Sequence, residues 1–231
     1  MSLISTVGGI QNAISRRLNE VSADNADRYL DYINEGMRDI ASMFPRAPWL
    51  QTSAVLTLAA SNLRWQLSSI ATNVRHIYGV AISAENVKLV GMKKEQFDTL
   101  DPQPDDTGIP RIFTVFNDEI YFFHQPNSNY GAQVMYLKDI DSVSTSSAVP
   151  EIPSRYFEGL VQYGWIQGLY LREDYDLAAQ IEAKYEVYKQ QMKKEMKKII
   201  QQSSRMFSVR EFQSANSIYN DEITQSIWGN N

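Results

Sequence analysis

The spacing of hydrophobic residues changes twice along the chain, from a helical period to short β-branched runs and back, and few folds accommodate that order. Ala26, Tyr29, Leu30, Ile33, Met37, Ile40, Ala41 and Phe44 recur mostly at three- and four-residue steps, which puts them on one face of an α-helix. Ser22 or Asp24 is expected to cap its start by accepting a backbone N–H, and Pro45 ends it because the residue before proline avoids the α region. A shorter helix is expected near 10–20. Pro45 and Pro48 bracket a turn, with Trp49 as an anchor into a core. Over 51–137 the helical period fades. Strands are expected at 53–58 and 63–67 as a hairpin around Ala59-Ala60-Ser61-Asn62, then at 74–82 and 87–92. A helical turn or two is expected at 94–100. Three prolines and a glycine keep 101–110 irregular. A second hairpin is expected at 112–116 and 120–123 around Asn117-Asp118-Glu119, and 132–137 is the last strand.

The helical period returns after a Ser-rich connection. Ser142, Ser144, Thr145, Ser146 and Ser147 have little to bury, and Pro150 and Pro153 stop any helix. Ser154 is the expected cap of a helix carrying Phe157, Leu160, Val161, Gly164, Gly168 and Leu171 on one face. Arg172-Glu173-Asp174 breaks that helix, and Asp174 caps the next. Ala178, Ile181, Tyr185, Tyr188, Met192 and Ile199 form its stripe, with one long step at the end. Gly164 and Gly168 each cost about 1 kcal/mol relative to alanine in a helix. They are read as helix-packing positions, with the helix at 26–44 as the expected partner. The expected class is therefore α+β. A bundle of antiparallel helices from both ends of the chain (1–50 and 154–202) holds an inserted small antiparallel β-sheet or sandwich (51–137). A linker (138–153) and an extended C-terminal arm (203–231) complete it.

Composition excludes several chemistries. There is no cysteine among 231 residues and only two histidines, His76 and His124, so thiolate chemistry is absent and a zinc site or histidine-based triad has almost nothing to build from. Both histidines fall on strands or strand ends, and there is no Gly-x-Ser-x-Gly elbow. Glu95, Asp98 and Asp101, or Asp105 and Asp106, are close enough in sequence to raise a carboxylate mechanism, but their ordinary role is that of solvated loop residues. Gly8-Gly9 lacks the strand before it and the Lys-Ser or Lys-Thr after it that a phosphate loop needs. No catalytic residue, cofactor or metal is expected. The net charge of -5 argues against a broadly basic nucleic-acid surface. No apolar run reaches the roughly 18–20 residues of a membrane helix, and the N-terminus has no basic stretch before an apolar core, so neither a membrane partner nor a signal peptide is expected.

Two features point to binding. Lys184, Lys189, Lys193, Lys194, Lys197 and Lys198 make one stretch basic, either the solvated face of a helix or a contact for DNA phosphates or an acidic partner. Lys189–Lys193, Lys193–Lys197 and Lys194–Lys198 are like-charge pairs, each costing about 0.2–0.5 kcal/mol in an isolated helix. The arm has no period, yet Phe207, Phe212, Ile218, Tyr219, Ile223, Ile227 and Trp228 recur along it. Such spaced anchors suit an extended segment that binds another chain, and an isolated monomer is expected to leave the arm disordered.

The order of motifs resembles a known family. Tyr32-Ile33-Asn34-Glu35-Gly36-Met37-Arg38-Asp39-Ile40-Ala41 leads to Pro48-Trp49-Leu50. The β region ends in Gly108-Ile109-Pro110-Arg111-Ile112-Phe113-Thr114-Val115-Phe116-Asn117-Asp118-Glu119-Ile120-Tyr121-Phe122. Ile152-Pro153-Ser154-Arg155-Tyr156-Phe157-Glu158-Gly159-Leu160-Val161 opens the helix that reaches Glu173-Asp174-Tyr175-Asp176-Leu177-Ala178-Ala179. Over about residues 26–195 this resembles the head-to-tail adaptor proteins of tailed bacteriophages, which dock below the portal. The resemblance implies a structural, non-enzymatic protein of the virion neck, assembled in the host cytoplasm as a ring, normally of twelve copies. The implied partners are the portal protein, a tail or nozzle protein, and double-stranded DNA that passes through the channel without specific binding. Its C-terminal segment is implied to reach the portal. Twelve copies at -5 would carry about -60, and an acidic lumen would not grip DNA, which has one negative charge per ~1.7 Å. The alternatives are a tail-completion protein further from the portal, a tail-associated cell-wall hydrolase, or a DNA-binding module built on the lysine stretch.

Overall fold

The computed structural model describes residues 4–21, 23–100 and 106–206, with side chains through Lys198. The architecture is α+β. Helix α1 spans Val7–Leu18, α2 Ala26–Met43, α3 Lys94–Phe97, α4 Phe157–Leu171 and α5 Tyr175–Met206. The Thr6 hydroxyl caps α1 by accepting from the Gly9 N–H at 3.3 Å. Two further orphan donors of that first turn go to the Ser-rich connection: Val7 N–H donates to Ala148 O at 2.9 Å and Gly8 N–H to Ser146 O at 2.7 Å. Helix starts leave such donors unpaired until something outside the helix takes them. Asn19 closes α1 in the left-handed region (φ 51°).

Helix α2 starts later than its expected caps. A short 3-10 turn, Ala23–Asn25, precedes it, and Asn25 at its cap position makes no side-chain capping bond. Asp24 therefore sits inside that turn, and Ser22 lies outside the described residues. Ser154 likewise opens a 3-10 turn, Ser154–Tyr156, ahead of α4. Asp174 does cap α5, its carboxylate accepting from Leu177 N–H at 3.4 Å.

Helix α4 is the central member of the helical part. Its mean hydropathy is high and it buries Phe157, Leu160, Val161, Ile166 and Leu169 on several sides. One core gathers α1, α2, α4 and α5 with Leu50, Leu137 and Ile152. On α5, Met196 fills the long step between Met192 and residue 199, and half-buried Tyr188 bridges Tyr185 to Met192 in the stripe of buried Ala178, Ile181, Tyr185, Met192 and Met196. Ile140, Val143 and Ala148 of the connection pack against this core. Asn34 ties it down, accepting from Val143 N–H at 2.8 Å and donating to Val143 O at 3.0 Å.

The second core lies between two four-stranded sheets. The strands are β1 (Gln51–Leu58), β2 (Arg64–Gln66), β3 (Val74–Ile82), β4 (Val87–Lys88), β5 (Val90–Gly91), β6 (Thr107–Gly108), β7 (Ile112–Phe116), β8 (Glu119–Phe123), β9 (Gln125–Pro126) and β10 (Tyr130–Lys138). One sheet has the order β1-β10-β3-β4, the other β2-β8-β7-β5, and β6 pairs with β9. Leu56, Leu58, Ile77, Val80, Ile82, Val134 and Tyr136 from the first sheet meet Phe113, Ile120 and Phe122 from the second. Three expectations are corrected. β1 does not form a hairpin with β2: it pairs along its length with β10, and β2 pairs with β8. The run 87–92 is two short strands in different sheets. The β region is not wholly antiparallel, since β5–β7 and β6–β9 are parallel. The β7–β8 hairpin turns on two residues, Asn117 (φ 50°) and Asp118 (φ 59°), the mirror-image turn that matches strand twist.

Candidate interaction surfaces

Positioning begins where α1 crosses α4. A Cβ on Gly164 would lie 2.4 Å from Ile14 Cδ1, and one on Gly168 would lie 2.3 and 2.8 Å from the two methyls of Leu18. None of these distances leaves room for a methyl group. The helix opposite these glycines is α1, not the expected helix at 26–44, which instead approaches α4 at Gly36, against Tyr163 and Leu160.

At the end of α1 the carboxylate of Glu20 collects three partners. Arg172 reaches it from the α4–α5 corner at 2.5 and 3.1 Å, and Arg28 and Tyr29 from α2 complete the set. Burial raises the Glu20 pKa, but the hydrogen bonds from Tyr29 and Arg172 and the two guanidinium charges win, and the group is held below its ordinary value. Burial and the bond to Glu20 push the Tyr29 phenol up to about 12. A second clamp joins α2 to α5: Tyr185 donates to Asp39 at 2.8 Å, with Lys189 3.6 Å from the same carboxylate. Beside the first clamp lies exposed apolar surface: Val21, Leu171 and Tyr175 are each about 60% exposed.

The lysine stretch lies on α5. Lys189 is paired with Asp39 and Glu186. Lys184, Lys193, Lys194, Lys197 and Lys198 are exposed, on the side away from Tyr185, Met192 and Met196. The third surface is the edge of the first sheet. Among the described residues β1 is flanked by β10 on one side and by no strand on the other, and Val55 on its outer face is 74% exposed.

The histidines do not form a site together. His76 is exposed on β3, opposite Leu137. His124 follows β8, with Nδ1 4.0 Å from Asp106. Glu95 is exposed, and Asp98 is ion-paired with Lys94. Asp101 and Asp105 lie outside the described residues, as do Phe207, Phe212, Ile218, Tyr219, Ile223, Ile227 and Trp228. Among the described residues no group of three His, Asp or Glu is placed to hold a metal ion, and no helix is long and apolar enough to cross a membrane.

These helices, sheets and surfaces are spanned almost whole by one family model, that of the SU10 adaptor protein, which matches residues 5–216. The chain belongs to the SU10 adaptor protein family. No curated protein matches it. The family is one of structural phage head-to-tail adaptors, so this SU10 adaptor family member is a component of the virion neck that meets other neck proteins. The match extends past both ends of the motif-bearing stretch 26–195, taking in all of α1 and the first ten residues beyond α5. Sequence reasoning missed α1 as a family element because its apolar positions, Val7, Ile10, Ile14 and Leu18, are ordinary for any amphipathic helix. It also missed Glu20, whose only signal was its place just past a helix end.

Proposed function

We propose that this chain forms a ring beneath the portal that joins the capsid to the tail and continues the DNA channel. The observation that carries the reading is the adaptor-family match across residues 5–216, which takes in both hydrophobic cores. The ring is a homo-oligomer, a dodecamer if it follows the portal's symmetry, assembled in the host cytoplasm. Its partners are the portal protein on one side and a tail or nozzle protein on the other. Double-stranded DNA passes through without specific binding, which the net charge of -5 per copy favours. Gly164 and Gly168 act in packing, holding α1 against α4. The arm carries the partner contacts, with Phe207, Phe212, Ile218, Tyr219, Ile223, Ile227 and Trp228 as anchors on the portal and on neighbouring copies. Function on this reading resides in interfaces, and no side chain need perform chemistry.

The test is a pull-down with particle sizing against the cognate portal protein, comparing the full chain with one ending at Gln202. The full chain is expected to form a ring complex and the shortened one to fail. If neither binds the portal, the adaptor role beneath it is wrong and a position further down the tail replaces it.

A further inference from the structure

Four-stranded sheets have two edges each, and three of the four here are blunt. β4 and β5 are two residues long, β2 is three, and lysine or arginine sits on two of them, at Lys88 and Arg64. Short, charged edges discourage pairing with other chains. β1 is the exception. It runs eight residues, Gln-Thr-Ser-Ala-Val-Leu-Thr-Leu, with no charge and no proline, and its register against β10 is uninterrupted. In an antiparallel ladder alternate residues direct their N–H and C=O groups to opposite sides, so about half of β1's backbone groups point away from β10. An edge of this length and character is a template for an added strand.

We propose that this edge receives residues 223–228 of a neighbouring copy as a fifth strand. That segment, Ile-Thr-Gln-Ser-Ile-Trp, lies in one of the arm's two long uncharged runs, and it holds three β-branched residues where the other, 212–220, holds one. In an extended chain Ile223, Gln225 and Ile227 share one face, which continues the apolar side of the sheet beyond Leu56 and Leu58. The arm is long. Among the described side chains of α5 the last buried one is Met196, in the core that also holds Leu50, the residue before β1. From Met206, the last described residue of α5, the 17 residues to Ile223 would span up to about 60 Å if extended. The charge pattern fits as well: a strand carrying Lys or Glu would find no partner charge on β1, whereas this segment carries none. The inference rests on the reading of the arm as a segment that contacts other chains, and it names the receiving surface for the arm's distal part.

Amide hydrogen exchange on the full chain tests it, read residue by residue in β1, once in dilute monomer and once at assembling concentration. Amides facing β10 serve as the internal control. The amides facing the free edge are expected to slow by at least ~100-fold on assembly, the protection that a ladder hydrogen bond gives. They are expected to stay fast in I223P/I227P, whose prolines cannot pair as a strand, and in V55K/T57K, whose exposed lysines blunt the edge. Edge amides that exchange equally fast in both states overturn the proposal, as does a chain that stays monomeric at every concentration. Protection already present in dilute monomer assigns the edge to the same copy, and protection that survives the proline variant assigns it to another segment; either result overturns it. Portal binding by the same samples is scored separately, so a failed adaptor role and a failed strand addition give different results.

Discussion

Single residues set the fit of the helical core, and Gly168 gives the sharpest case. Alanine there would gain about 1 kcal/mol of helix propensity. Its methyl group, however, would meet both methyls of Leu18 below 3 Å and the Leu18 Cγ at 3.1 Å, so turning about the Cβ–Cγ bond alone does not clear the space, and overpacking of this kind costs about 1–3 kcal/mol. Gly168→Ala is expected to lower stability in urea unfolding by about 1 kcal/mol, net of those two effects. In a Leu18→Ala background the same change should reverse sign, because the obstruction is gone and the propensity remains. Equal effects in the two backgrounds would show that the glycine is there for some other reason. Glu20 is a different kind of residue-scale device. Its pKa is depressed in the folded chain relative to the ordinary 4.5. Its contribution is therefore complete above that value and is lost as pH falls through the lower, folded pKa. Glu20→Gln is expected to cost about 1.5–3 kcal/mol near pH 7, the scale of charge-assisted hydrogen bonds. The gap between variant and wild-type melting temperatures should then narrow as the pH is taken from 6 to 3. A gap independent of pH would rule the mechanism out. The sequence revealed that Gly164 and Gly168 mark a close approach, since two glycines one turn apart leave a flat patch on a helix. It did not reveal the partner, because periodicity describes one helix and says nothing of which helix lies across from it.

At the scale of elements, the limit of sequence reasoning is distance along the chain. The β7–β8 hairpin was legible because its signal is local: two runs of alternating residues separated by Asn117-Asp118, residue types that tolerate positive φ. β1 and β2 carried the same kind of local signal and were misassigned. The true partner of β1 begins at Tyr130, and nothing within ten residues of β1 encodes that pairing. Helix α5 was legible in outline, as a stripe of three- and four-residue steps, and Met196 was the position that completed it. Its exposed side is where an element-scale prediction belongs. Lys189–Lys193, Lys193–Lys197 and Lys194–Lys198 repel across successive turns. Replacing Lys193 and Lys194 with Glu turns all three repulsions into attractions, two of them with Glu on the favourable N-terminal side. K193E/K194E is expected to raise stability by about 1 kcal/mol at low ionic strength, with the gain fading in high salt as the charges are screened. A variant that is less stable than wild type at low salt would mean that the lysines already have acidic partners within the chain.

The whole molecule is two cores joined by a narrow neck of chain, and that geometry carries a prediction of its own. Residues 51–137 leave the helical part and return to it at adjacent points, because the first and last residues of the segment, Gln51 and Leu137, are paired across the β1–β10 ladder. Directly opposed residues of an antiparallel pair are about 4.5–5.5 Å apart. The connections between the two parts beyond that point are mostly polar and exposed: Arg75 to Pro45 O at 3.3 Å, Arg75 to Asp139 at 3.9 Å, and Asn73 to Asp141 at 2.8 Å. Leu50, Leu137 and Ile152 belong to the helical core and would all be retained if the excision stopped short of them. A chain in which residues 52–136 are replaced by Asn-Gly therefore keeps Gln51 and Leu137 as the opposed pair of a two-residue hairpin, the loop such a pair prefers. It is expected to fold to the same helices, with cooperative urea unfolding, slow amide exchange in α4, and near-ultraviolet circular dichroism from the Phe44, Trp49 and Tyr156 cluster. A compact chain that keeps helical signal but loses the aromatic signal and the cooperativity would show that the sheets hold the helical core together. In that case an adaptor built on this fold could not alter its β region without loosening the helices, whereas independent cores would let each part of the chain adapt to its own neighbour.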